Sequence, residues 1–250
     1  MKAIDLNADI GEADTPAWAQ AEADIVSAIS SANIACGGHA GDPDTMRRTV
    51  RNAKAAGVSI GAHPAYPDRA NFGRRSLLLG EDISTKSLRD AMMSQIATLA
   101  EICASEGVAL SYIKPHGALY NDAVFDAQKA DLIAGVIAGL DKNLILLGGP
   151  SSEMGRAAID AGLRFVAEGF IDRRYTDDGH LLSRTIDGAV IKDQSERLAQ
   201  VRSLATTGEV TTASGAKLNI HAASLCVHGD SAGAVETARQ ARAAIEALGV

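Results

Sequence analysis

The sequence predicts an α/β protein whose parallel strands close into a seven-stranded (β/α) barrel-like fold. Three observations carry that expectation. Seven short apolar runs alternate with segments of helical spacing, which is the pattern of strand–helix repeats. Ionisable residues recur where those runs end, at the position that becomes the carboxyl end of a strand, where α/β folds assemble their chemistry. The length of 250 residues suits one barrel domain, 1–250, with no low-complexity linker or internal repeat to divide it. An open doubly wound sheet is the alternative, but it usually needs a glycine-rich first turn, and the first turn here, NADIGEAD, is acidic.

In chain order, the apolar runs place strands at 3–8, 32–36, 58–62, 110–114, 144–147, 165–170 and 225–227. Helical spacing covers 43–56, 88–106, 127–140, 151–161 and 232–248, several of them opened by Asp, Ser or Pro. Two stretches break the repeat. Residues 175–193 are irregular, and EVTTASGAKLNIH within 208–221 reads as a hairpin with Ser214 and Gly215 at its turn. Both are expected to decorate one rim.

The composition narrows the function classes. A hydrophobic fraction of 46% with only 4% aromatic residues implies a core of Ala, Val, Ile and Leu. A net charge of −7, without a long Lys/Arg run, disfavours nucleic acid and anionic membranes as partners. The start MKAIDLNADIGE has no signal-peptide pattern and no run spans a bilayer, so the expectation is a cytoplasmic protein acting on a small molecule. Cys36, Cys103 and Cys226 lack C-x-x-C spacing and read as reduced thiols.

Asp5, Asn7 and Asp9 alternate and therefore share one face of the first strand. Inward carboxylates need water, a cation, a metal or a substrate, unless one of them merely caps a turn. Lys114 and His116 flank Pro115 and give one strand end a cation and a neutral-pH acid–base group; a lysine ion-paired to a neighbouring carboxylate is the structural alternative. His39, His63 and His228 end three further runs. Three such histidines, or two with Asp9, are able to bind a divalent metal, although no H-E-x-x-H pair marks one. Arg74–Arg75 and Arg173–Arg174 are candidate anion forks, and Asp172–Arg173 is the better placed because it follows a strand. Gly229–Gly233 matches G-x-S-x-G, but no histidine follows Ser231, so a hydrolase triad fails and Ser231 reads as a helix cap. GGPSS at 148–152 lacks the Lys-Ser/Thr of a Walker A loop, and no nucleotide motif is visible.

Taken in order, DLNADIGE, SANIACGGHAGD, GAHPAYPD with FGRR, IKPHGALYN, EGFIDRRYTDDG and LCVHGD resemble the successive signature blocks of the LamB/YcsF family. The resemblance implies a seven-stranded barrel. It also implies participation in an ATP-dependent 5-oxoprolinase that opens the lactam of 5-oxo-L-proline to L-glutamate, with the B and C subunits as partners and ATP as cofactor. Asp5, Asn7, Asp9, Glu12, Asn33, His39, Asp42, His63, Lys114, His116, Asp172, Arg173, His228 and Asp230 stand at matching positions. Three features depart from the family: Ala8 replaces the usual Cys, Gly38 replaces the usual Phe beside His39, which is expected to enlarge or loosen the pocket, and the segment after Glu12 lacks the usual glycine-rich pattern.

The resulting expectation is catalysis by Asp9, Lys114 and His116. Lys114 and Arg173 hold a carboxylate or phosphate, and His116 or Asp9 activates water. Substrate contacts fall to Asp5, Asn7, Glu12, Asn33, His39, His63, Asp172, Arg173, His228 and Asp230, with Asp9, His39 and His63 as metal candidates. The alternatives are a metal-dependent deacetylase or amidohydrolase and a non-catalytic substrate-binding subunit.

Overall fold

In a computed structural model, which describes residues 4–229 and 233–249, seven parallel strands close on themselves in the order β1-β2-β3-β4-β5-β6-β9. The barrel strands are β1 (Asp5–Ile10), β2 (Ser31–Ala35), β3 (Ser59–His63), β4 (Tyr112–Ile113), β5 (Ile145–Gly148), β6 (Arg164–Phe170) and β9 (Ser224–His228). Helices α1 (Pro16–Val26), α2 (Pro43–Ala56), α3 (Thr85–Ser105), α4 (Gly117–Ala123), α5 (Ala127–Leu140), α6 (Glu153–Asp160), α7 (Gln194–Thr206) and α8 (Ala234–Leu248) lie between and after them. The expected fold class is thus observed. So is the hairpin, as β7 (Glu209–Thr211) paired antiparallel with β8 (Lys217–Asn219), with Gly215 at φ 92° in its turn.

Several helices begin where a side-chain oxygen takes an orphan amide. Asp42 accepts from the Thr45 amide ahead of Pro43, Ser84 from Ser87, Asp126 from Gln128 and Lys129, and Asp193 from Glu196. Each such cap contributes about 1 kcal/mol. Asp42, matched to a family position in the sequence, is therefore a helix cap. The spacing argument does not pick out α1, α4 or α7: α4 spans seven residues, and the apolar face of α7 is poorly segregated. The fourth strand is shorter than expected, yet Lys114 remains tied to it through its amide, which donates to the Ala62 carbonyl (2.9 Å).

Alternation sorts β1 into two faces. Leu6, Ala8 and Ile10 belong to the apolar core between barrel and helices, while Asp5, Asn7 and Asp9 turn into the barrel. The usual cysteine of the family falls at Ala8, so a thiol there faces the helices rather than the barrel interior. Register stacks the inward residues in layers: Asp5 lies opposite Ser224, Asn7 opposite Ser31 and Cys226, and Asp9 opposite Asn33 and His228. Gly61 is required by this interior, because a Cβ there would lie 2.2 Å from the Tyr112 ring that crosses the barrel.

A polar site at the carboxyl end of the barrel

The uppermost layer is built around a buried cation. Lys114 Nζ donates to Asp9 Oδ1 (2.9 Å) and lies 3.1 Å from Glu168 Oε2, 3.0 Å from Cys226 Sγ and 5.2 Å from the Phe170 ring centroid. Burial opposes the lysine's charge, but the Asp9 carboxylate, with Glu168 beyond it, outweighs that and raises its pKa well above the ordinary value. Burial likewise opposes ionisation of Asp9, yet Lys114 and then His63 hold its carboxyl well below the usual range. Both groups are therefore charged at neutral pH. Below them, Asn33 Nδ2 donates to Asn7 Oδ1 and to Asp9 Oδ1 (each 2.7 Å), and the Tyr112 hydroxyl donates to Asn33 Oδ1 (2.6 Å). Asn33 holds Asp9 in place from beneath the floor of the cavity, and Asn7 in turn anchors Asn33.

Beside the cation lies an imidazole cluster. His39 and His116 stack with centroids 3.5 Å apart and an interplanar angle of 2°, and His63 meets both edge-on. His39 Nε2 is 2.9 Å from Glu12 Oε1, and His63 Nε2 is 3.4 Å from Asp9 Oδ2. Burial, reinforced by the neighbouring imidazoles, holds His39 and His116 well below the ordinary histidine range, so both are neutral. Glu12 is fixed by the loop that carries it: Glu22 on α1 accepts from the Glu12 amide (2.8 Å) and the Ala13 amide (3.1 Å). Burial raises the Glu22 pKa to about 7. The segment that departs from the family pattern thus supplies its own brace for Glu12.

On the opposite wall, His228 Nδ1 is 2.8 Å from Asp172 Oδ1, and the His228 ring stacks on Phe170. Asp9, Glu12, His63, Lys114, His116, Glu168, Arg173 and His228 line a cavity of about 450 Å³ at this mouth, roofed by residues 180–185. Arg173 donates from Nη2 to the Leu182 carbonyl (2.6 Å), but its Nε has no hydrogen-bond partner. Burial, then the nearby Arg184, lowers its pKa to about 10, leaving it cationic at neutral pH. Glu168 Oε1 and the Tyr120 hydroxyl lie side by side in the wall, neither in a well-formed hydrogen bond.

Several expectations need correction. Asp5 is not at the mouth. It sits at the amino end of the barrel and accepts from Ser30 (2.6 Å), Ser31 (2.7 Å) and Ser224, because the shared face of β1 runs the full depth of the barrel. The metal candidates divide: His39 and His63 join Glu12 and His116, whereas Asp9 falls with Cys226 and His228 around the Lys114 ammonium. Arg74 stands over the Phe72 ring and lines the mouth, but Arg75 is exposed beside Asp68. Gly38 does not widen the cavity, since the Gln95 side chain fills that space and is tied to both backbone groups of Ala65. Asp230 and Ser231 fall outside the described residues. Sequence reasoning missed Glu168, Tyr120 and the placement of Cys226. The one available signal was a glutamate inside the apolar run FVAEGF.

The model of the LamB/YcsF family matches residues 4–250. The chain belongs to the LamB/YcsF family. It is 44% identical over 250 residues to the 5-oxoprolinase A subunit of Symbiobacterium thermophilum, covering all of this chain and 94% of that protein. It is 46% identical to the 5-oxoprolinase A subunit of Azoarcus sp., covering all of this chain and 96% of that protein. Among solved structures, it is similar to the lactam utilization protein of Thermus thermophilus, with a TM-score of 0.89, 37% identity, and 100% and 98% of the two chains covered. No helix among the described residues of this chain is long and apolar enough to cross a membrane.

Proposed function

We propose that this LamB/YcsF protein is the A subunit of an ATP-dependent 5-oxoprolinase, acting with the B and C subunits to open 5-oxo-L-proline to L-glutamate. The relatives' shared name supports the family of reaction and the idea of a complex. The observation that carries the substrate class is the set of partnerless or poorly partnered polar atoms around one small cavity: Arg173 Nε, Glu168 Oε1 and the Tyr120 hydroxyl. A lactam that bears a carboxylate matches them. Its carboxylate suits the Arg173 guanidinium, its N–H suits the Glu168 carboxylate, and a hydroxyl suits the ring carbonyl.

Ring opening adds water to the carbonyl carbon, so negative charge grows on the carbonyl oxygen. Lys114 is a fixed cation in a water-poor layer, where such a charge is worth far more than in solvent. Asp9, whose second carboxylate oxygen faces the same cavity, forms the proton-accepting side. An unstrained five-membered lactam resists hydrolysis, which is why coupling to ATP is part of the proposal. Asp9, Glu12 and Glu168 set three carboxylates against the cavity's cations, and the chain carries no nucleotide motif. We assign ATP chemistry to the partner subunits. The test is ADP release dependent on 5-oxoproline, measured with the chain alone, with B and C alone, and with all three. Release and glutamate formation are expected only from the full set, and full activity from the chain alone would overturn the three-component reading.

A further inference from the structure

Two imidazoles at the mouth face each other in a way that neutral histidines do not tolerate. His63 Nδ1 is 2.7 Å from the Lys114 carbonyl, and His116 Nε2 is 3.0 Å from the Phe72 carbonyl. A carbonyl oxygen only accepts, so each of these nitrogens carries its hydrogen. The remaining nitrogens, His63 Nε2 and His116 Nδ1, then present lone pairs to each other across 3.0 Å. Lone pairs that close together require something positive between or beside them. Glu12 Oε1 comes within 3.8 Å of His116 Nδ1, so donor atoms from one carboxylate and two imidazoles set at 88° converge, while His39, stacked parallel on His116, keeps its lone pair off that point and braces Glu12 Oε1 from 2.9 Å.

We infer that Glu12, His63 and His116 hold a divalent transition-metal ion of the zinc class, with the fourth position left open. Bonds of about 2.0–2.2 Å to nitrogen and oxygen place neighbouring tetrahedral donors roughly 3.3 Å apart. The His63–His116 and Glu12–His116 separations of 3.0 and 3.8 Å bracket that value. The outer shell is also in place. The two backbone carbonyls that fix the tautomers of His63 and His116 are the partners that metal-binding histidines normally have on the far nitrogen. The neighbouring set of Asp9, Cys226 and His228 is not a second site, because the Lys114 ammonium already stands 2.9 Å from Asp9 and 3.0 Å from Cys226. A two-imidazole, one-carboxylate set favours zinc, iron, cobalt or nickel over magnesium or calcium. Bound there, the ion supplies Lewis acidity next to Asp9 and Lys114.

The inference rests on this geometry and not on the lactam reading, and its test reads binding rather than turnover. Full-length protein is stripped with chelator, dialysed and titrated with Co²⁺ and Zn²⁺, with the metal content counted by elemental analysis. The expected result is one ion per chain and intense visible Co²⁺ bands of a four-coordinate nitrogen and oxygen site, without a thiolate charge-transfer band. His63→Gln and His116→Gln, with folding checked by circular dichroism, each weaken uptake by more than about 100-fold, beyond the loss expected from removing only a supporting partner. The weak spectrum of hydrated Co²⁺ with background metal content, as a merely shared proton predicts, overturns the site. So does a thiolate band, which moves the ion to Cys226, or undiminished uptake by both folded variants.

Discussion

Asp5 and Asp9 share a strand and a face, yet they sit in opposite kinds of surroundings. At the amino end of the barrel, Asp5 accepts from the hydroxyls of Ser30, Ser31 and Ser224. At the carboxyl end, Asp9 has a lysine ammonium, an imidazole and an asparagine amide as partners. Neutral hydroxyls hold a carboxylate without calling for any other charge. A buried ammonium binds its carboxylates so firmly that losing either partner strands the other. The comparison teaches that one inward stripe serves two ends: one locks the barrel, and the other stores opposed charges where a reacting group can meet them.

The strongest test of that contrast is Lys114→Met. It leaves Asp9 and Glu168 facing each other without a cation, and breaking such a pair typically costs about 3–5 kcal/mol. Losing one stabilising contact to a developing charge costs about 2.7–4 kcal/mol of barrier, roughly a hundred- to a thousandfold in rate. Kinetics of the reconstituted complex, alongside a urea melt, read both effects, and a folded variant with near-normal turnover would reduce Lys114 to an ion-pair partner. Lys114→Arg should not restore the rate, because a planar fork does not replace a compact ammonium.

Next in size is the paired test of the two ends. Asp9→Asn should cut turnover sharply, whereas Asp5→Asn should leave it near the parent value and instead lower stability by about 1–3 kcal/mol, the cost of disturbing buried hydrogen bonds. Equal losses of turnover from both substitutions would collapse the distinction. Arg173→Met sharpens the picture at the roof: the KM for 5-oxoproline should rise while kcat changes less, and the reverse split would remove Arg173 from substrate binding.

A smaller effect concerns Glu22. Its folded-state pKa is raised to about 7 from the ordinary 4.5. The folded protein therefore binds this proton more tightly than the unfolded chain does. The stability this contributes is fully present below about pH 4.5 and is lost as pH rises through about 7. Glu22→Gln keeps an oxygen to accept from the Glu12 and Ala13 amides, so it should melt higher than the parent at pH 8, with the gap closing toward pH 5. A gap that does not depend on pH would show that Glu22 is not the titrating group. The smallest effect is expected from Ala8→Cys. Because residue 8 points toward the helices, turnover should not change and the new thiol should resist alkylation in the native protein.

The barrel was legible because its signal is local: apolar runs end in polar residues and helical spacing resumes. Boundaries slipped where strands are short, as at Tyr112–Ile113, and where helices have weak faces. The meeting of His39, His63, Lys114 and His116 was legible for the same reason, since strand ends converge once the sheet closes. Depth was not. Alternation puts Asp5, Asn7 and Asp9 on one face but does not say that only Asp9 reaches the mouth. Glu168 escaped notice because it is tolerable inside an apolar strand only when Lys114 reaches it from across the barrel, and no local pattern carries that contact.

The ring of strands closes through its first and last members. β1 pairs with β9, and β9 also pairs with β6, across the intervening α7 and the hairpin. On the ribosome, a nascent chain emerging from its amino end therefore keeps one edge of β1 unsatisfied until residues 224–228 have been made. Closure must bridge nearly the whole polypeptide before its reward arrives, which marks a slow, late-committing folding route. Asp9 and His228 come into register only at that moment. An unfinished chain has neither a sealed barrel nor an assembled reaction centre.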